Sequence, residues 1–234
     1  MRTITAAKLW DGSSLLDNPV IEIQDGHIAS ISTGATAGEH HFPAATLAPS
    51  FFDVHIHGSA GHDVMEATPE ALGKIGRFLA SRGTGSYLAT TVTAPLDMTL
   101  KALDGLAKLI DRPDSIPSNG PTTRPIGIHL EGPFLSHAKC GVQPKEHLLE
   151  PDIAIFDKLF EAAGGHARLM TLAPELSGAI ELAAHATSRG VRVSVGHSDA
   201  TAAETKAAIA AGAVSATHTF NAMRALDHRE PGIL

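Results

Sequence analysis

The spacing of apolar positions changes character near residue 46. Before it, "TITAAKLWDG", "PVIEIQDGHIASIS" and "HHFPAATLAPS" are short β-type runs broken by Asp-Gly pairs at Asp11–Gly12 and Asp25–Gly26. Asp-Gly tolerates the positive φ of tight hairpin turns, so the runs read as strands of a small β-structure over residues 1–45. From residue 46 to 234, near-continuous apolar runs alternate with amphipathic stretches. Strands are predicted at 50–56, 85–93, 125–131, 167–173, 191–197 and 213–218. Between the first two, Thr68 is placed to cap a helix with Pro69 at its first position and Gly83 beyond its end. Leu72, Ile75 and Leu79 recur on one face of that helix. Leu103, Leu106, Ala107 and Ile110 form a second stripe. Further helices fit 151–163, 176–189 and 202–211, the last opening on a Thr201/Glu204 capping box and closing at Gly212.

The proline-rich segment "DRPDSIPSNGPTTRP" reads as a surface loop before the third strand. Repeated β-α units with apolar strands imply an α/β protein with a parallel sheet, either doubly wound or a barrel. Six units are present, whereas a closed barrel of this type has eight.

Composition narrows the class. The chain has 234 residues, 43% of them hydrophobic and 18% charged, with a net charge of −7. An acidic chain without a Lys/Arg run is a poor match for nucleic acid. The one cysteine, Cys140, excludes a disulfide framework and a Cys-based zinc site. "MRTITAAKLWDG" lacks the apolar stretch of a signal peptide, and no run approaches the ~20 apolar residues that span a bilayer. A soluble cytoplasmic protein with no membrane partner is predicted.

The chemistry collects at strand ends. In "FFDVHIHG", His55 and His57 are two residues apart on a strand and so share a face. "IGIHLEGPF" ends a strand with His129 and Glu131, "VSVGHSDA" with His197 and "SATHTFNAM" with His218. In a parallel β/α protein the carboxyl ends of the strands lie on one rim, where ligands bind. His55, His57, Glu131, His197 and His218 therefore converge there, and His/carboxylate ligands with an open position make a catalytic metal site. A single histidine or glutamate at a strand end is more often structural; the agreement of four strands favours metal. His129 is read as a partner of Glu131, and the remaining histidines as structural.

"DVHIHG", "HLEGPF", "GHSDA" and "HTFNAM" followed by "REPG" resemble, in order, the motifs of the N-acetylglucosamine-6-phosphate deacetylases of the amidohydrolase superfamily. The resemblance implies a TIM-like (β/α) barrel, here about six of eight units over residues 46–234, preceded by a small β-sandwich segment. It implies removal of the acetyl group from N-acetylglucosamine 6-phosphate, with Glu131, His197 and His218 as main ligands of a divalent zinc or iron ion. His55 and His57 match the pair that adds a second ion in some members. Asn221 and Ala222 match positions that hold the sugar phosphate. Arg229 matches an arginine that reaches the phosphate from the neighbouring subunit, which implies a homodimer of the full-length protein. Val142 and Gln143 fall in a sugar-contacting turn where the family usually has Gly-x-His, so Gln143 stands in place of a histidine. Cys140 beside them reads as a passive neighbour.

The family's catalytic aspartate belongs to the eighth barrel strand, and no residue up to Leu234 matches it. Nor does any match a histidine of the seventh-strand region that helps hold the substrate carbonyl. The chain is thus expected to be the N-terminal part of a deacetylase, inactive alone and prone to instability or self-association. Asp199, beside the capping box, is expected to serve the helix N-terminus. The alternatives are another amidohydrolase acting on a different amide or cyclic imide, and an inactive metal-binding fragment.

Overall fold

The computed structural model describes residues 2–34 and 38–234. The chain divides into two compact units, Met1–Phe51 and Phe52–Leu234. The first is a five-stranded sheet of β1 (Arg2–Trp10), β2 (Leu15–Asp17), β3 (Pro19–Gln24), β4 (His27–Thr33) and β5 (His40–Leu47). β1 pairs antiparallel with β2 and β3 and parallel with β5. Asp25 and Gly26 turn between β3 and β4 with φ of +51° and +79°, the conformation that the Asp-Gly pair was expected to supply.

The second unit is built on a six-stranded sheet. Its strands are β6 (Phe51–Ile56), β9 (Thr84–Thr90), β10 (Arg124–Glu131), β11 (Ala167–Leu172), β12 (Arg192–Val195) and β13 (Ala213–Ala216). A two-stranded hairpin, β7 (Gly58–Ser59) with β8 (His62–Asp63), follows β6. The helices are α1 (Pro69–Ala80), α2 (Leu96–Asp111), α3 (Ile153–Ala162), α4 (Ala179–Ser188) and α5 (Ala202–Ala210). The spatial order β6-β9-β10-β11-β12-β13 is also the chain order. A doubly wound sheet reverses its order at a switch point; a sheet that always adds the next strand on the same side is part of a barrel. The two topologies left open by the hydrophobic pattern are thereby separated, in favour of a partial TIM-like barrel.

The helices cover one face of this sheet. Leu72, Ile75 and Leu79 of α1, Leu103 and Leu106 of α2, and Leu182, Ala183 and Ala186 of α4 are buried in one cluster. They meet Ile128 and Leu130 of β10, Met170 and Leu172 of β11, and Val193 and Val195 of β12. Each fully buried side chain of this kind contributes about 1.5–3 kcal/mol. Residues between them in sequence (His129, Glu131, Thr171 and Ser194) point to the opposite face, into the lumen of the partial barrel. Thr68 caps α1 by accepting from the Ala71 N–H at 3.2 Å, and the Thr201/Glu204 box is formed.

Several elements are shorter than their patterns predict, and for two the backbone supplies the reason. The helix over 176–189 starts at Ala179 because Gly178, at φ +79°, lies outside helical space. The strand over 191–197 stops at Val195 because His197 turns left-handed at φ +49°. No helix among the described residues is long and apolar enough to cross a membrane.

Candidate metal centre

The carboxyl ends of four strands deliver the site. His55 lies in β6 and His57 one residue past it; Glu131 ends β10; His197 and His218 stand two residues beyond β12 and β13. Leaving a strand this abruptly requires unusual backbone. His197, His218, Phe220 and Ala222 all have positive φ, at +49°, +31°, +76° and +49°. Such values are uncommon for residues with a Cβ, and their clustering is characteristic of functional sites. Gly132 explains why Glu131 is followed by glycine. Its φ is +83°, and a Cβ there would collide with Thr93 Oγ1.

Glu131 is buried at the centre. Its Oε1 lies 3.4 Å from His55 Nε2, 3.2 Å from His197 Nε2 and 3.3 Å from His218 Nε2. Its Oε2 lies 3.1 Å from His57 Nε2 and accepts from the Gln143 amide at 2.7 Å. Despite its three neighbours, Oε1 has no hydrogen-bond partner among the described residues.

The histidines are oriented from behind. His57 Nδ1 donates to the Thr90 carbonyl at 3.2 Å, His197 Nδ1 to the Lys139 carbonyl at 3.1 Å and His218 Nδ1 to the Asn221 carbonyl at 3.1 Å. A carbonyl only accepts, so in the neutral rings the proton sits on Nδ1 and Nε2 presents a lone pair. His197 Nε2 and His218 Nε2 then face each other at 3.0 Å. Two lone pairs and an orphaned carboxylate oxygen in one buried spot repel unless positive charge, a proton on one ring or a metal cation, lies among them. These residues therefore fit a divalent ion. Two overlapping groups have the spacing to hold one: His55, His57 and Glu131, and Glu131, His197 and His218.

Electrostatics agree. Burial opposes ionisation of Glu131, but positive charge and N–H donation at the His197 and His57 Nε2 positions, from a ring proton, outweigh it and hold the carboxyl well below its usual range. Burial lowers the His55 pKa against the pull of Glu131. At His57 burial acts in the same sense, but the Glu131 contact and the Thr90 carbonyl overcome it and raise the value. Burial, then neighbouring His55, pushes His129 down to about 3, so it is neutral at ordinary pH.

The surrounding residues are placed less uniformly. His129 does not bond Glu131; it bridges the Val54 carbonyl and Thr171 Oγ1, and its ring packs 4.9 Å from that of His55. Asp199 is not a helix cap: Arg224 Nη2 holds it at 3.2 Å and Lys139 Nζ at 3.6 Å. Asn221 and Ala222 lie in the loop beside His218, where the Ala222 carbonyl accepts from the Ser198 N–H. Val142 is fully open to solvent, whereas its neighbour Gln143 is buried. Arg229 is exposed, and its guanidinium meets no carboxylate among the described residues. One residue escaped the sequence reading. Glu175 accepts from Ser198 Oγ at 2.7 Å and the Asp199 N–H at 2.6 Å, bracing the loop that carries His197. Its position just past the fourth strand, on the same rim, was the available signal.

Residues 46–233 match the model of the amidohydrolase family. The chain belongs to that family. Among curated relatives, this amidohydrolase is 38% identical to N-acetylgalactosamine-6-phosphate deacetylase of Escherichia coli O157:H7, over 99% of this chain and 59% of the relative. It is 36% identical to N-acetylglucosamine-6-phosphate deacetylase of Bacillus subtilis, over 95% of this chain and 57% of the relative. The crystal structure of N-acetyl-D-glucosamine-6-phosphate deacetylase from Mycobacterium smegmatis superposes with a TM-score of 0.90 at 34% identity, covering 100% of this chain and 60% of that one. A mutant of that enzyme was solved in complex with N-acetyl-D-glucosamine-6-phosphate and matches at a TM-score of 0.89 and 35% identity, over 99% of this chain and 59% of that one. The chain thus spans a little under 60% of the length of these relatives. Membership of the family implies a divalent metal, in keeping with the cluster around Glu131.

Proposed function

We propose that this amidohydrolase removes the acetyl group from N-acetylglucosamine 6-phosphate, giving glucosamine 6-phosphate and acetate. The observation that carries the reading is the buried Glu131 carboxylate, with its two oxygens 3.1–3.4 Å from the Nε2 atoms of four imidazoles. Zinc and iron suit this donor set equally. Glu131, His197 and His218 would hold the main ion, and His55 and His57 with Glu131 a second. A divalent ion in such a site lowers the pKa of bound water towards about 7 and polarises the amide carbonyl.

The chain's own residues set the rest. The carbonyls of Thr90, Lys139 and Asn221 keep the imidazoles aimed and in one tautomer. Asn221 and Ala222, next to His218, are assigned to the sugar phosphate together with the exposed guanidinium of Arg229, whose fork suits a phosphate. Val142 and Gln143 are assigned to the turn beside the sugar. Arg229 acts across a homodimer in this reading, and the cytoplasm is the proposed compartment. Amide hydrolysis also needs a group that takes the water proton and returns it to the leaving amine. Neither candidate metal group includes an aspartate, and Asp199 is engaged by Arg224 and Lys139. By the resemblance to the deacetylase motifs, that proton carrier is assigned to an aspartate of an eighth barrel strand, which no residue among 1–234 matches.

A second reading keeps the chemistry and changes the sugar. The 38% identity to an N-acetylgalactosamine-6-phosphate deacetylase favours the galacto epimer. Acetate release from both sugar phosphates tests the two together, with zinc or iron supplied, for residues 1–234 and for the chain extended through an eighth barrel strand. Release by the extended chain only, from the gluco substrate and abolished by Glu131→Ala, is expected. Preference for the galacto substrate would select the second reading. Silence on both sugars would overturn the proposal, and activity of residues 1–234 alone would place the proton carrier among them.

A further inference from the structure

Gln143 lies in the loop that crosses the rim between β10 and α3, and it is buried although its neighbour Val142 is open to solvent. Both ends of its amide are engaged. Oε1 accepts from the Thr93 backbone N–H at 2.8 Å, and Nε2 donates to Glu131 Oε2 at 2.7 Å. The first contact dictates the second. A backbone N–H only donates, so the amide oxygen must face Thr93 and the amide nitrogen must face Glu131. The loop is brought close enough by Gly141, at φ +58°, where a Cβ would press on His197 Cε1 at 3.3 Å. The Gln143 N–H closes the turn on the Cys140 carbonyl at 3.0 Å.

We infer that Gln143 is a positioning residue of the metal centre, fastening Glu131 Oε2 to the segment after β9 so that Oε1 alone is presented to His55, His197 and His218. The inference rests on the metal reading above and adds what decides the carboxylate's orientation. A neutral donor suits the task. It fixes one oxygen without cancelling the charge that the ion needs, which a lysine or arginine at this position would do. The engagement of both amide ends also gives Gln143 a role distinct from the direct sugar contact that its place in the turn suggested.

The test reads ion binding, not catalysis. Zinc affinity is measured by competition with a chromophoric chelator, and the visible spectrum of the cobalt-loaded protein reports coordination. The proteins are the wild type, Glu131→Ala, Gln143→Leu and Gln143→Glu. Wild-type binding abolished by Glu131→Ala is expected, with Gln143→Leu weakening it by about 10–100-fold, the usual cost of losing a partner of a ligand. Gln143→Glu gives the second readout. Where its new carboxyl is protonated it donates to Glu131 as the amide does, and the cobalt spectrum should match the wild type. Where it is ionised, the spectrum should depart, giving a pH dependence beyond the one that the histidine ligands impose on the wild type. A folded Gln143→Leu variant with wild-type affinity and spectrum overturns the inference. If that variant does not fold, a Gln143→Glu spectrum that follows the wild type's at every pH overturns it instead. A wild type that binds no ion removes the metal reading itself, an outcome distinct from either.

Discussion

Gly132→Ala tests whether the backbone after Glu131 is as constrained as its geometry implies. Two costs are separable. Alanine at φ +83° sits in left-handed space, which disfavours a residue with a Cβ by roughly 1–2 kcal/mol. The added Cβ also collides with Thr93 Oγ1 and meets Leu135 Cδ1 at 3.3 Å, and overpacking of this kind costs about 1–3 kcal/mol. Thr93 cannot retreat freely, because its N–H holds the Gln143 amide. The sum is about 2–5 kcal/mol. In a unit of roughly 180 residues, at about 2–4 °C per kcal/mol, Tm falls by roughly 4–20 °C. Scanning calorimetry of chelator-treated protein measures it. The partner variant Thr93→Ala removes the colliding oxygen, so the double variant should recover the packing part and leave the φ part. A loss below 1 kcal/mol in the single variant would show that the 131–133 turn relaxes and that glycine is not required there, and no recovery in the double would refute the packing part.

Ion removal should register in stability. An ion at one hundred times its Kd contributes about 2.7 kcal/mol, so chelation is expected to lower Tm by about 5–11 °C; an unchanged melting curve on chelation would count against a bound ion. Acid should destabilise the ion-free protein through His129. Its folded pKa of about 3 lies below the usual 6.5, so between those values the unfolded chain binds the extra proton and stability falls as pH is lowered, by up to ~1.4 kcal/mol per pH unit. His129→Gln should make the slope of stability against pH shallower by one proton between pH 6 and 4, measured by urea denaturation, and equal slopes would refute the burial argument.

What the sequence disclosed and what it withheld divide along a physical line. The strand ends were legible because apolar runs terminate in polar residues that a buried strand would not tolerate. Five such residues on one rim identify a cluster without any distance. From periodicity alone topology was legible only as far as a parallel sheet, since it states which face a residue takes and not which strand lies beside it; the motif resemblance implied the partial barrel, and the order β6-β9-β10-β11-β12-β13 bears it out. Side-chain partners were not legible. His129 was assigned to Glu131 because the two share a strand face, but Val54 and Thr171, distant in sequence, claim both its nitrogens. Asp199 was assigned to a helix it adjoins, but Arg224 and Lys139 reach it across the loops. Gln143 was read from its place in a motif, which carries no information on whether the side chain faces the lumen, the sugar or a carboxylate.

The parts that order the centre lie at the ends of the regular elements and in the loops between them. Four of the carbonyl and amide groups that aim the ligands belong to Thr90 at a strand end and to Lys139, Asn221 and Gln143 in loops. The loops are themselves held in costly conformations, with left-handed φ at His197, His218, Phe220 and Ala222. Backbone of that kind persists only where its surroundings over-determine it. Here they do so by cross-links between rim segments. The Ser136 N–H donates to the His197 carbonyl, the Ser198 N–H to the Ala222 carbonyl and the Arg224 N–H to the Ser198 carbonyl, while Glu175 holds Ser198 and Asp199. The Thr90, Lys139 and Asn221 carbonyls fix the directions of His57, His197 and His218 about Glu131. Among the described residues, Glu131 Oε1 stays without a hydrogen-bond partner at their focus, a place that suits a divalent cation.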